Sequence, residues 1–170
     1  KTREVLPGKL AMVEYPIRIP RAERIPRTEI FDGRRCGERL RCCFVGRLVE
    51  WKNVSATIEA LNELKGRGRS FEFWIIGEGP ERTALEREVE EKGLGHLVQF
   101  RGFQERPEDL VAQCDVFVLA SSEKEGFCLA LVEAMAMGVP AVATRVGIVP
   151  EVIEHEVSGW VVPPGDTAAL

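Results

Sequence analysis

DVFVLASSEKEGFCLALVEAMAMGVPAVATRV, residues 115–146, decides the fold. Its first part, 115–121, is a short apolar run ending in serine. Residues 126–138 form a longer run of Leu, Ala, Val and Met, long enough for a helix. Residues 139–146 are again short and β-branched. Strand, helix and strand in this order make a βαβ unit. Strands apolar on both faces belong inside a parallel sheet. One residue resists that scheme. Glu133 sits in the otherwise apolar helix, eight residues after Glu125, and a carboxylate there is seldom buried unless paired.

The pattern extends in both directions. Toward the N-terminus, 42–47 (CCFVGR) reads as a strand. Residues 54–68 read as a helix carrying Val54, Ile58, Leu61 and Leu64 on one face and ending at Gly66 or Gly68. FEFWIIGEG (71–79) is a second strand, and 80–93 a helix opened by Pro80 and closed by Gly93. HLVQFRG (96–102) is a third strand and 107–114 a short helix. Beyond the central unit come a short helix at GIVPEVIEHE, a sixth strand at SGWVVPPG and the start of a further helix at PPGDTAAL. About five such units predict an open, doubly wound, Rossmann-like α/β sheet in the order 3-2-1-4-5-6, and not an eight-unit barrel. Residues 1–41 are irregular and punctuated by proline, with one edge-strand candidate at LAMVEYPIRI. They read as a leading segment into a domain at 42–170. The missing initiator Met and the helix start at the last residues suggest truncation at both ends.

Hydrophobic residues make up 45% of the 170 and charged residues 29%, the balance of a soluble globular protein. No apolar run is long enough to cross a membrane and the first ten residues lack the core of a signal peptide. The expectation is a cytoplasmic protein. The net charge of −4 argues against a nucleic-acid partner. Yet residues 1–41 hold 11 Lys/Arg against 6 Asp/Glu, and RIPRAERIPR fits either an anionic lipid or RNA surface or, more simply, a solvated strip. The five cysteines (Cys36, Cys42, Cys43, Cys114, Cys128) show no CxxC spacing, and only two histidines accompany them. Free thiols in a reducing compartment fit better than a zinc site, and no metal is expected.

In an open parallel sheet, ligands bind at the carboxyl ends of the strands. Four of those ends carry chemistry. GRLVEWK places Arg47 and Lys52 on one loop, two cations able to neutralise a diphosphate, or two solvated charges. GEGP supplies only Gly77 and Gly79, after the second strand. It therefore lacks the dinucleotide fingerprint and reads as a turn. RGF supplies Gly102 and Phe103. In SSEKEGFCLALVEAM a helix starting near Phe127 would aim the N–H groups of Phe127, Cys128 and Leu129 at an anion, with Glu125 just ahead. Glu125 there can equally serve only to stabilise the helix end. Glu133 then borders a polar cleft, where a carboxylate suits the paired hydroxyls of a sugar or ribose.

Taken in order, GRLVEWK, IIGEGPE, VQFRGF, DVFVLAS, EGFCLALVEAMAMGVPAVAT, GIVPEVI and SGWVVPPGD resemble the C-terminal, donor-binding domain of the retaining glycosyltransferases of family four, which have the GT-B fold. The resemblance covers about residues 42–170, and its most specific part is the pair Glu125 and Glu133 with EGF and EAMA around them. It implies a nucleoside-diphosphate sugar as donor and no further cofactor. Arg47 and Lys52 would bind the diphosphate, and Glu125 the sugar hydroxyls near the reacting carbon. Glu133 would bind the ribose. Gly126 and the amides of Phe127, Cys128 and Leu129 would lie against phosphate and sugar, and Gly102 and Phe103 beside the base. The acceptor, a glycan or lipid-linked glycan, would be held by an N-terminal domain that residues 1–41 are too short to form. By itself the chain would then be inactive in transfer. Family habit suggests polysaccharide or glycolipid work, with a peripheral contact at the inner face of the membrane.

Three positions depart from the family pattern. Asn53 stands where a glycine is usual after the loop lysine, Cys128 where EGFG would have its last glycine, and Ile148 where a second glycine is frequent. Cys128 puts a side chain near the donor. Two other functions compete: a non-catalytic nucleotide-sugar-binding module and a Rossmann oxidoreductase domain. The basic first loop, without glycine fingerprint, disfavours the oxidoreductase.

Overall fold

The computed structural model describes residues 39–170. Cys36, the arginine-rich strip and the strand candidate at 10–19 lie outside them. Six strands form one sheet: β1 (Leu40–Val45), β2 (Phe71–Ile76), β3 (Val98–Gly102), β4 (Val116–Leu119), β5 (Ala141–Thr144) and β6 (Gly159–Val162). Their order is β3-β2-β1-β4-β5-β6 and every pairing is parallel, as the alternation of elements predicts. The crossovers carry helices α1 (Val54–Gly66), α2 (Arg82–Glu91), α3 (Glu108–Val111), α4 (Leu129–Ala136) and α5 (Val149–Val152). α1 packs beside α2, and α3 beside α4. Right-handed crossovers on either side of the β1–β4 reversal put these two groups on opposite faces of the sheet.

Both layers bury the same kind of side chain. Phe44, Phe73, Ile75, Phe117 and Leu119 of the strands are shut off from water, as are Ile58 of α1, Leu131 of α4 and Val149 of α5. Each such burial stabilises by roughly 1.5–3 kcal/mol. The face read on α1 is buried at Val54, Ile58 and Leu61 but opens to solvent at Leu64.

The strands are less uniformly apolar than their composition suggests. Arg41 lies opposite Glu72 in the register, and Trp74 opposite Gln99. The indole N–H of Trp74 donates to Glu72 Oε1 at 2.7 Å, and Gln99 Nε2 donates to the same oxygen at 2.9 Å. The guanidinium carbons of Arg41 and Arg101 lie 4.5 and 4.2 Å from the Trp74 ring centroid. One face of β1–β3 therefore carries a cation–aromatic stack where the sequence predicts only core.

Several element bounds need correction. Pro80 does not open α2, which begins two residues later. The loop before α2 is held elsewhere: the N–H of Glu81 donates to Leu48 O at 3.1 Å, and a Cβ on Gly79 would lie 2.2 Å from that same oxygen. The residues after Pro164 form turns and not a helix, with Asp166 Oδ1 accepting from the N–H of Ala169 at 3.0 Å.

Among the described residues all cysteines are free thiols, with Cys43, Cys114 and Cys128 buried and Cys42 partly so. Burial, aided by Cys114 and Asp115, pushes the Cys42 thiol up to about 12. Its hydrogen bond with Cys114, and then burial, push Cys43 up as well. Thiols so shifted stay protonated at neutral pH and are poor nucleophiles.

Candidate functional site

The loop after β1 is built against the loop after β2. Gly46 N–H donates to Ile76 O at 3.0 Å and Leu48 N–H to Glu78 O at 2.9 Å. Gly77 has φ +138°, and a Cβ there would lie 1.9 Å from Gly46 O. Only glycine fits so close an approach at that angle. The GEGP glycines thus serve loop-to-loop packing. The β1 loop then makes a single 3-10 turn, Glu50–Lys52, and leaves it through Asn53 at φ 49°, ψ 45°. That left-handed conformation suits Gly or Asn, so Asn53 fills its departure from the family pattern without changing the turn.

Lys52 folds back from this turn. Its Cε passes 3.7 Å from where a Gly46 Cβ would be, and its ammonium pairs with the carboxylate of Glu125. The two side chains are 14% and 8% exposed. Lys52 follows β1 and Glu125 follows β4, the two strands between which the winding of the sheet reverses. Their meeting point is the crevice where open α/β sheets bind ligands. Arg47, the second cation of the loop, is exposed at the same end of β1, and forms no ion pair among the described residues.

The β4–α4 loop is tied on both sides. Ser122 N–H donates to Trp51 O at 2.8 Å, which joins it to the β1 loop. Thr144 Oγ1, at the end of β5, donates to Ser121 O at 2.6 Å. Ser121 Oγ donates to Glu125 Oε2 at 2.9 Å, the oxygen that Lys52 also engages. Sequence reading did not single out Ser121 or Thr144. The one available signal was a hydroxyl residue at the end of each of two neighbouring strands.

The start of α4 is a correction. The helix begins at Leu129, with Cys128 extended as its N-cap at φ −84°, ψ 90°. Phe127 and Cys128 therefore precede the helix, and its leading amides belong to Leu129, Ala130 and Leu131. The cause is Gly126, whose carbonyl accepts from Ile148 N–H at 3.0 Å and packs against Gly147. Ile148 thus joins the loop through its backbone. Cys128 is buried beside the ion pair: burial raises its thiol, Lys52 opposes that rise, and Glu125 adds to it. Phe127 and Leu129 stay exposed at the loop.

Glu133 is partly buried on α4. Its carboxyl is raised, first by burial and then by Glu108 of α3. It has no ion-pair partner among the described residues. Gly102, at φ +68°, borders Glu78 and Arg82, and Phe103 beyond it is 73% exposed on the rim. The geometry thus joins Lys52 to Glu125 directly, with Arg47, Phe103 and Gly126 in loops at the strand carboxyl ends and Gly102 as the last residue of β3.

A wall with cations, a carboxylate held by two donors and a helix start can bind a phosphorylated, hydroxyl-rich ligand. No helix among the described residues is long and apolar enough to cross a membrane.

Comparison with known proteins agrees with the fold. The chain is 40% identical over 138 residues to the amylovoran biosynthesis glycosyltransferase AmsK of Erwinia amylovora, covering 77% of this chain and 34% of AmsK. It is 42% identical over 96 residues to N-acetyl-alpha-D-glucosaminyl L-malate synthase of Bacillus anthracis, covering 56% of this chain and 25% of that enzyme. Among solved structures, HepE of Anabaena in complex with UDP matches with a TM-score of 0.70 and 26% identity, over 84% of this chain and 40% of HepE. HepE has also been solved with UDP-glucose. The chain thus spans about a third of the length of the first curated relatives it matches. The family described as "Glycosyl transferases group 1" matches residues 27–170, beginning ahead of the boundary at 42. On that match, and on the sheet order that accompanies it, the chain belongs to the group 1 glycosyl transferases.

Proposed function

We propose that this domain binds the nucleoside-diphosphate sugar of a retaining glycosyl transfer. The observation that carries the reading is the Lys52–Glu125 pair across the switch point. It puts a diphosphate-neutralising cation and a hydroxyl-accepting carboxylate side by side. The UDP and UDP-glucose complexes of HepE support the same ligand class.

In the proposed reaction the bond between the anomeric carbon and a diphosphate oxygen breaks, and negative charge grows on the leaving group. Arg47, Lys52 and the amides leading α4 stabilise that charge in a site already arranged for it. These groups do the work for which other transferases recruit a divalent cation. Glu125 orients the sugar through its hydroxyls, and Glu133 holds the ribose. Gly102 and Phe103 border the base. Retention of configuration, implied by the family-four resemblance, puts the acceptor on the face that the diphosphate leaves. That acceptor, a glycan or lipid-linked glycan, would be bound by sequence beyond this domain, at the cytoplasmic side of a membrane. The role of AmsK in amylovoran biosynthesis favours a polysaccharide product.

Titration calorimetry of the chain with UDP, GDP and NAD tests the reading. Binding of UDP or GDP, lost or weakened in Arg47→Ala and absent for NAD, supports it. Failure of both nucleoside diphosphates to bind, or preference for NAD, overturns it.

A further inference from the structure

We propose that Ser121 is a positioning residue for Glu125, holding the carboxylate in place when Lys52 exchanges it for the donor diphosphate. The inference rests on the donor-site reading above. Ser121 is fully buried, two residues beyond the end of β4. Its hydroxyl donates to Glu125 Oε2 at 2.9 Å, and its carbonyl is pinned by Thr144 Oγ1 at 2.6 Å. The serine is thus fixed from the neighbouring strand β5 and passes that fixation to Glu125. The side-chain contacts of Glu125 with Lys52 and Ser121 both fall on Oε2.

In the free protein Lys52 and Glu125 satisfy each other. A diphosphate, with more charge than one carboxylate, draws the ammonium toward itself. Glu125 then loses the cation that compensates its burial, and a buried carboxylate left without partners is strongly disfavoured. Two kinds of partner remain for it: the Ser121 hydroxyl, already in place, and the hydroxyls of the incoming sugar. A free nucleoside diphosphate supplies no sugar hydroxyls at this position. With a free diphosphate bound, Ser121 is then the one side-chain partner left to Glu125, so loss of its hydroxyl should weaken binding of the diphosphate more than binding of a sugar nucleotide. The exchange also gives product release a direction, because Lys52 and Glu125 can pair again once the sugar has left.

The test is calorimetric titration of the whole 170-residue chain and its Ser121→Ala, Ser121→Cys and Ser121→Thr variants. The probes are UDP, GDP, UDP-glucose, UDP-N-acetylglucosamine and GDP-mannose, with thermal unfolding alongside. The measured quantity is the ratio of the diphosphate Kd to the sugar-nucleotide Kd. Ser121→Ala should raise that ratio about five- to tenfold and leave the sugar-nucleotide Kd within about threefold, the net scale of one hydrogen bond. Ser121→Thr, which keeps the hydroxyl, should restore the ratio. If Ser121→Ala does not fold, Ser121→Cys, nearly isosteric and a weak donor, carries the same expectation. An unchanged ratio in a folded variant overturns the inference and leaves the donor-site reading standing. So does an equal loss for diphosphate and sugar nucleotide, or a wild-type chain that binds diphosphate but gains nothing from any of the sugars. A wild-type chain that binds neither UDP nor GDP overturns the reading and this inference with it.

Discussion

Lys52 and Glu125, 73 residues apart in the chain, meet as an ion pair with both side chains largely withdrawn from water. Removing one partner of such a pair strands the other, and the usual cost is about 3–5 kcal/mol. Lys52→Met should therefore destabilise the chain strongly, with urea denaturation as the measure. Lys52→Met combined with Glu125→Gln should recover most of the loss, since no charge is left unpaired. If the double variant were no more stable than Lys52→Met, the pair would not be the source of the effect.

Gly126 and Gly147 separate two kinds of glycine at this site. A Cβ on Gly147 would lie 1.9 Å from Gly126 O, and the residue sits at φ +48°, whereas a Cβ on Gly126 would meet nothing within 4 Å. Gly147→Ala should cost about 2 kcal/mol or more, combining the left-handed backbone with overpacking. It should also weaken UDP binding, because Gly126 has to move. Gly126→Ala should leave stability within about 1 kcal/mol. Thermal unfolding and titration of the two variants check both statements.

Glu133 gives the fold a pH signature. Burial, with Glu108 adding repulsion, raises its carboxyl. A raised carboxyl favours the folded state while protonated, below the unfolded carboxyl range, and loses that contribution as pH rises through the raised value. At pH 7 the ionised side chain is therefore a small net cost. Glu133→Gln should raise Tm by about 1–2 °C at pH 7 and have no effect below about pH 4. A gain of the same size at both pH values would show that charge is not its cause.

The sheet was legible because each crossover announces itself: apolar run, loop, helical period, apolar run. DVFVLAS and VPAVATRV could scarcely be anything but buried parallel strands. Lys52 and Glu125 were legible as charges at strand ends, but not as each other's partner, because pairing across the switch is a property of the folded sheet. The start of α4 was misread at Phe127 for the same reason. Local propensity sees Gly126 as the break, and only the long-range bond from Ile148 to Gly126 shows why the chain stays extended for two more residues. Trp74 between Arg41 and Arg101 was invisible as well, since its members come from three strands.

Arg47 and the question of turnover carry the last prediction. Arg47 is exposed and has no ion-pair partner among the described residues, so removing it should leave stability within about 0.5 kcal/mol. Its expected effect is on the ligand: Arg47→Ala should weaken UDP or GDP binding by roughly 1.5–3 kcal/mol, the scale of a hydrogen bond to a charged group. Glu133→Gln should cost less, because on the proposed reading an amide keeps part of the bonding to ribose. Transfer is a separate demand. The acceptor must be held in line with the anomeric carbon, and orientation of that kind is worth about 7–11 kcal/mol of the barrier. The matched stretch is about a third of AmsK, and on the proposed reading the described residues supply only the donor side of the site. Residues 1–170 alone should therefore bind nucleoside diphosphate yet give no measurable transfer from UDP-glucose or GDP-mannose. Calorimetry followed by a product assay checks the two halves separately. Robust transfer by the 170 residues alone would mean that the acceptor is held within this chain, and an Arg47→Ala variant with unaltered nucleotide affinity would remove that cation from the site.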